Sequence, residues 1–160
     1  MKRYGIHMTP FVLGLKIAQV ILFAGMFASL MLHWSDLPET VPLHYDLMGN
    51  PNRWGSKDGL WMLPIIGACL YLLLCLVGRF PSIWNIPCSI KKEKEAATYQ
   101  CMYFMLQIMN TFLLGLFFYA TLTSVLDWEF PSYYIILLLL LMGVPVIWSI
   151  LHIRKINKED

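Results

Sequence analysis

The side chains of this chain that could do chemistry gather in residues 34–59, WSDLPETVPLHYDLMGNPNRWGSKDG, and at their threshold. His33 and Asp36 stand three residues apart, His44 and Asp46 stand two apart, and Lys57 follows in the same stretch. Imidazole nitrogens and carboxylate oxygens bind metals and carry protons, so these four groups could converge on a cation or share a proton. The spacing permits such a site without specifying it. H-E-x-x-H, a closely spaced Cys pair and G-x-S-x-G, which would fix a metal or a nucleophile, do not occur in the sequence. We therefore expect no enzyme, no metal and no cofactor, with His44 and Asp46 bonding the loop backbone and one another. Lys57 is expected to pair with Asp46 or Asp58, to meet an anionic headgroup, or to stay solvated, since exposed ion pairs contribute little.

The stretch reads as extended rather than helical. Pro38 and Pro42 crowd the residues before them out of the helical region. Val41, Leu43, Tyr45 and Leu47 alternate with Pro42, His44, Asp46 and Met48, which places His44 and Asp46 on one face and an aliphatic row on the other. Gly49 and Asn50, followed by Pro51, supply turn chemistry that folds the chain back, and Gly55-Ser56 supplies a second turn. Ser56 or Asp58 is expected to cap a helix starting near Leu60. Connections longer than about 12 to 15 residues are uncommon unless functional. We expect an ordered cap seated by Trp34, Trp54 and Trp61, with His44 turned inward beneath the return arm, where Asp46 or Ser56 would meet its ring.

The elements that must hold this stretch are membrane spans. Hydrophobic residues make up 58% of the 160 and charged residues 14%, and a mean hydropathy of +0.60 excludes an ordinary soluble domain. Four apolar runs follow, at about 10–33, 60–78, 101–126 and 133–151, giving an all-α membrane protein of one domain, residues 1–160, with its loop between the first two helices. Thr9-Pro10 caps the first helix, which is too long for a cleaved leader. Along it Gly14, Ala18, Gly25 and Ser29 line one face, the usual form of a packing seam in lipid. In the third helix Tyr103, Gln107, Thr111 and Gly115 share a face beside Asn110, and such polar groups must face protein. Gly143 and Pro145 are expected to kink the fourth.

Counting cations orients the bundle. With the N-terminus inside, ten of the twelve Lys and Arg are cytoplasmic and only Arg53 and Lys57 face outward, beside six carboxylates. Both termini are then cytoplasmic and residues 34–59 extracytoplasmic. None of Cys69, Cys75, Cys88 and Cys101 lies outside, so no disulfide framework is expected. The net charge of +2 gives no reason to expect nucleic acid as a partner.

The segment LPETVPLHYDLMGNPNRWGSK resembles a pattern of bacterial membrane proteins of the DUF1648 family and of SdpI-type immunity proteins: L-P-x-x-(I/V)-P-x-H-(F/Y)-(N/D)-x-x-G-x-(P/V)-(D/N)-x-(W/Y)-G-S-K. Leu37, Pro38, Pro42, His44, Asp46, Gly49, Trp54, Gly55, Ser56 and Lys57 carry the match, and Asn50 sits in the same turn. FPSIWNIPCSIKKEKEAATYQ is similar to a second family segment at Pro81, Asn85, Pro87, Ile90 and Tyr99, with Lys and Glu where many relatives have Glu-Asn after Ile90. The resemblance implies a multi-pass protein of the bacterial cytoplasmic membrane. SdpI-type relatives protect against, and signal, a secreted toxin.

Two functional classes follow. The first is a non-enzymatic sensor or immunity protein, whose outer loop binds an extracellular peptide or lipid and whose basic inner face, residues 91–95 and the tail from Arg154, meets a cytoplasmic protein. The second is a small transporter or transporter subunit using Gln107, Asn110 and Thr111.

Overall fold

Residues 4–86, 88–129 and 131–158 are described by a computed structural model. Four helices dominate it: α1 (Pro10–Leu32), α2 (Met62–Arg79), α3 (Glu95–Val125) and α4 (Tyr134–Lys158). Each contains a stretch long and apolar enough to cross a membrane, which makes this a multi-pass membrane protein. Between α1 and α2 the chain forms two antiparallel strands, β1 (Thr40–Tyr45) and β2 (Pro51–Ser56). The expectation of an all-α fold is corrected by this hairpin. Its second arm, PNRWGS, has no alternating apolar pattern, because its pairing rests on main-chain hydrogen bonds rather than on a buried face.

Local sequence explains the helix ends. Thr9 Oγ1 accepts from Val12 N at 3.2 Å and Pro10 occupies the first turn of α1. Ser56 caps the short 3₁₀ turn Lys57–Trp61 that leads into α2, its hydroxyl accepting from Asp58 N at 3.3 Å. At the end of α3 the amide of Trp128 reaches back to the Thr123 carbonyl at 3.0 Å. Asp127 between them takes φ 52°, a left-handed position that a short polar side chain tolerates. The last helix outlasts its span and runs to Lys158 rather than closing near 151. Asn157 explains the extension, since its Nδ2 donates to Thr98 Oγ1 at 3.1 Å and its Oδ1 accepts from Lys91 N at 3.0 Å.

The bundle is organised around α3, against which α1, α2 and α4 all pack. It is the least hydrophobic of the four spans, with a mean hydropathy of 1.6 against 2.0, 2.5 and 2.6 for α1, α2 and α4. A polar span cannot face lipid, so it takes the centre. Gln19 of α1 donates to Thr111 Oγ1 at 3.1 Å and to the Gln107 carbonyl at 3.1 Å. Asn110 turns the other way and donates to Cys75 Sγ of α2 at 3.5 Å. The seam of α1 is therefore Val12, Gln19, Met26 and Leu30, all fully buried. The small-residue stripe is only partly in it: Gly25 abuts Phe118, whereas among the described residues nothing lies within 4 Å of a Cβ placed on Gly14. Gly67 of α2 is closer still, and a methyl there would lie 3.0 Å from Phe117. Pro145 is buried within a continuous α4.

Because Gln19 bridges two groups of α3, Gln19→Leu is expected to lower unfolding stability by about 1 kcal/mol. The loss should be less than additive with Thr111→Val, read by detergent-titration unfolding; strict additivity would show that the pair is not coupled.

Candidate functional site

Residues 34–61 fold into a hairpin that stands on the ends of three helices. Leu37, Val41 and Leu60 are buried with Leu30 of α1 and Val125 of α3, and Trp34, Leu43, Trp61 and Leu126 close around them. Trp34 and Trp61 lie 5.7 Å apart, and Trp61 continues to Phe27 at 6.4 Å. Trp54, across the ladder from Pro42, is 59% exposed and seats nothing.

The motif residues divide by what they hold. Leu43 lies in a seat made by two glycines: a Cβ at Gly55 would come within 2.5 Å of Leu43 Cδ1, and one at Gly59 within 2.7 Å. A side chain at either position would force the end of Leu43 to shift from its place against the cluster. Asp46 builds the turn. Its Oδ1 accepts from Met48 N at 2.8 Å and Asn50 N at 2.9 Å, its Oδ2 from Asn50 Nδ2 at 3.4 Å, and Gly49 takes φ 87°. These donors, the Asn50 amide first, hold the Asp46 carboxyl below the usual carboxylate range. Lys57 meets neither Asp46 nor Asp58. Its stem is largely covered, its ammonium lies 2.9 Å from Glu39 and 5.5 Å from the centre of the Trp34 ring, and it therefore closes the base of the hairpin. At the other end of β1, burial and then the charge of Asp127 push the Tyr45 phenol up, while the Ser124 side chain near it acts in the opposite direction.

The inward placement of His44 is corrected. His44 is exposed, and its Nδ1 bonds Asn52 Oδ1 at 2.6 Å, not Asp46 or Ser56. The reason is geometric: a hairpin partner lies beside a strand, about 4.8 Å away in its plane, and cannot cover a face of it. The covered face is the Val41–Leu43–Tyr45 side, which the helix ends meet. Leu47 leaves that row and is 73% exposed, because the turn starts at Asp46. Nor do the four candidate ligands converge. The His33 ring bonds the Ser29 carbonyl at 2.9 Å and Asp36 accepts from Ser35, and no group of three or more His, Cys, Asp or Glu assembles among the described residues.

What sequence reasoning missed is a cavity. Beneath the hairpin a space of about 430 Å³ is bounded by Leu43, His44, Tyr45 and Arg53 above, Met62 and Ile66 of α2, Phe117 and Ala120 of α3, Ser132 just before α4, and Ile135 and Leu138 of α4. It is apolar below and polar at the mouth, the form of most ligand sites. No local signal marks it, since its walls come from four segments far apart in sequence.

The second segment lies at the other end of the bundle and adds nothing to this site. Pro81 is buried and opens a 3₁₀ turn, Tyr99 packs between Tyr4 and Trp84, and Trp84 Nε1 donates to the Val77 carbonyl at 2.8 Å, closing α2. Asn85 is exposed and Ile90 half-buried, and Pro87 lies outside the described residues.

Two outcomes are expected. Gly55→Ala should loosen the hairpin by about 1–3 kcal/mol, seen as a lower melting temperature and faster proteolysis in detergent. Adding Leu43→Ala should return part of that loss, and simple additivity would rule out the glycine seat. Acidification should act through Asp46. With its folded pKa below the ordinary value of 3.8, its stabilisation is complete above that value and disappears as pH falls through the lower folded one. Asp46→Asn keeps an acceptor and should remove this pH dependence, measured as intrinsic-rate-corrected exchange of the Met48 and Asn50 amides.

Residues 20–68, from mid-α1 through the hairpin to the start of α2, match the family model described as "Domain of unknown function (DUF1648)". An uncharacterized protein of Archaeoglobus fulgidus is 27% identical over 157 residues, covering 88% of this chain and 86% of its own. No solved structure matches. The matched region is the part of the chain that builds the hairpin and one wall of the cavity.

Proposed function

We propose that this is a non-enzymatic membrane sensor or immunity protein, whose hairpin faces outward and roofs a ligand pocket while the basic opposite end meets an intracellular partner. The cavity beneath the hairpin carries the reading. It is of ligand size, and the scaffold that frames it is over-determined by the Leu43 seat, the Asp46 turn and the Lys57 contacts, as a binding site requires. His44 and Arg53 line the cavity and stay exposed, so both can meet a ligand there, and Trp54 is exposed on the same strand as Arg53. At the far end Arg154, Lys155 and Lys158 surround a shallow hollow beside Leu151, which fits an acidic partner or anionic headgroups.

The alternative, a small transporter or transporter subunit, would need Gln107, Asn110 and Thr111 to line a path. Gln19 takes up two of the three in joining α1 to α3, and the third turns to Cys75, which favours the packing role.

Cells lacking the gene should become several-fold more sensitive to at least one secreted antimicrobial peptide in a broad panel. Wild-type protein should restore resistance, and Ile66→Trp, which fills the cavity floor, should not. Unchanged sensitivity across the panel overturns the immunity reading.

A further inference from the structure

We infer that the cavity takes a phospholipid, with its phosphate at Arg53 and its acyl chains leaving between α2 and α4 into the bilayer; this rests on the ligand-binding reading above and names the class of ligand. The floor of the cavity has a shape that fits acyl chains. α2 and α4 both lean on α3 but share no substantial interface with each other, so the space between them opens sideways. The walls descend from Met62 to Ile66 on α2 and from Tyr134 to Leu138 on α4, four residues each, or about 6 Å at the rise of a helix. That depth reaches from the headgroup level to the upper hydrocarbon. A molecule there meets apolar side chains below and, with α2 and α4 not packed together, a side that faces lipid, which suits a chain already in the membrane better than a peptide arriving from water.

The mouth of the cavity carries charge. Arg53 lines the cavity, is exposed, and has no acidic partner within ion-pair distance among the described residues. A guanidinium presents a fork of donors matched to phosphate oxygens. The 25-residue helix α4 begins at the same wall, with Pro131, Ser132 and Tyr134 lining the cavity, so the positive end of its dipole adds to the field of Arg53. Asp46 also borders the mouth and keeps its charge, but the Met48 and Asn50 amides hold its oxygens into the turn. His44 commits Nδ1 to Asn52, and its other nitrogen makes no bond among the described residues.

Native mass spectrometry of delipidated protein tests this, with dioleoyl phosphatidylglycerol, dioleoyl phosphatidylethanolamine and dioleoylglycerol as separate ligands. Each phospholipid should bind one to one, and dioleoylglycerol at least about tenfold more weakly, since it lacks the phosphate. Arg53→Gln should weaken phospholipid binding by about tenfold, the size of one lost charge-assisted contact, with an unchanged melting temperature because Arg53 is exposed. Ile66→Trp should weaken all three ligands. Equal binding of dioleoylglycerol and the phospholipids, indifference to both substitutions, or displacement by equimolar inorganic phosphate overturns the assignment. A peptide-sensitivity phenotype that Ile66→Trp abolishes, without phospholipid binding, would retire the phospholipid and keep the sensor. Phospholipid binding with no deletion phenotype would do the reverse.

Discussion

A polar side chain inside a bilayer has to be met by protein, and the whole architecture follows from where this chain puts its polar side chains. They are concentrated in α3, whose buried set includes Gln107, Asn110, Thr121 and Thr123. Surrounding that helix with α1, α2 and α4 is the arrangement that keeps those groups from lipid. The threonines serve themselves, Thr121 and Thr123 donating to carbonyls of their own helix, while Gln107 and Thr111 receive Gln19 from α1. Three helices around one leave gaps between neighbours on the ring. One of these, between α2 and α4, becomes the side of the cavity.

The hairpin closes that gap from above and docks on the helix ends. A two-stranded hairpin alone is marginal in water. Here Val41 and Leu37 enter the cluster at the ends of α1 and α3, and Leu43 fits against Gly55 and Gly59. The motif thereby separates into two groups. Leu37, Asp46, Gly49, Gly55, Ser56 and Lys57 shape and fasten the hairpin, whereas His44 and Trp54, with Arg53 between the strands' partners, are presented by it. The first group explains why the spacing is so specific.

At the opposite end a separate aromatic and amide cluster does comparable work. Tyr99 lies between Tyr4 and Trp84, and Gln100 clasps the His7 backbone, its Oε1 accepting from the amide at 3.0 Å and its Nε2 donating to the carbonyl at 3.3 Å. Asn157 joins the end of α4 to Thr98 and to Lys91. The two segments are thus at two structural ends of one bundle, each fastening a different set of helix termini.

The sequence by itself determined what depends on neighbours in the chain. Four spans were legible from apolar runs, the start of α1 from Thr9-Pro10, and the turn from Asp46, Gly49 and Asn50, because hydrophobicity, capping and positive φ are properties of short stretches. The alternation of β1 was legible too, down to the face carrying Val41, Leu43 and Tyr45. Which face would be covered was not. Coverage depends on elements distant in sequence, so His44 is exposed rather than inward, and α1 packs through Val12, Gln19 and Met26 rather than through its whole small-residue stripe. The partner of Lys57, the β2 pairing and the cavity are likewise decided by tertiary structure: each brings together groups with no common local pattern, and only packing in three dimensions sets their distances.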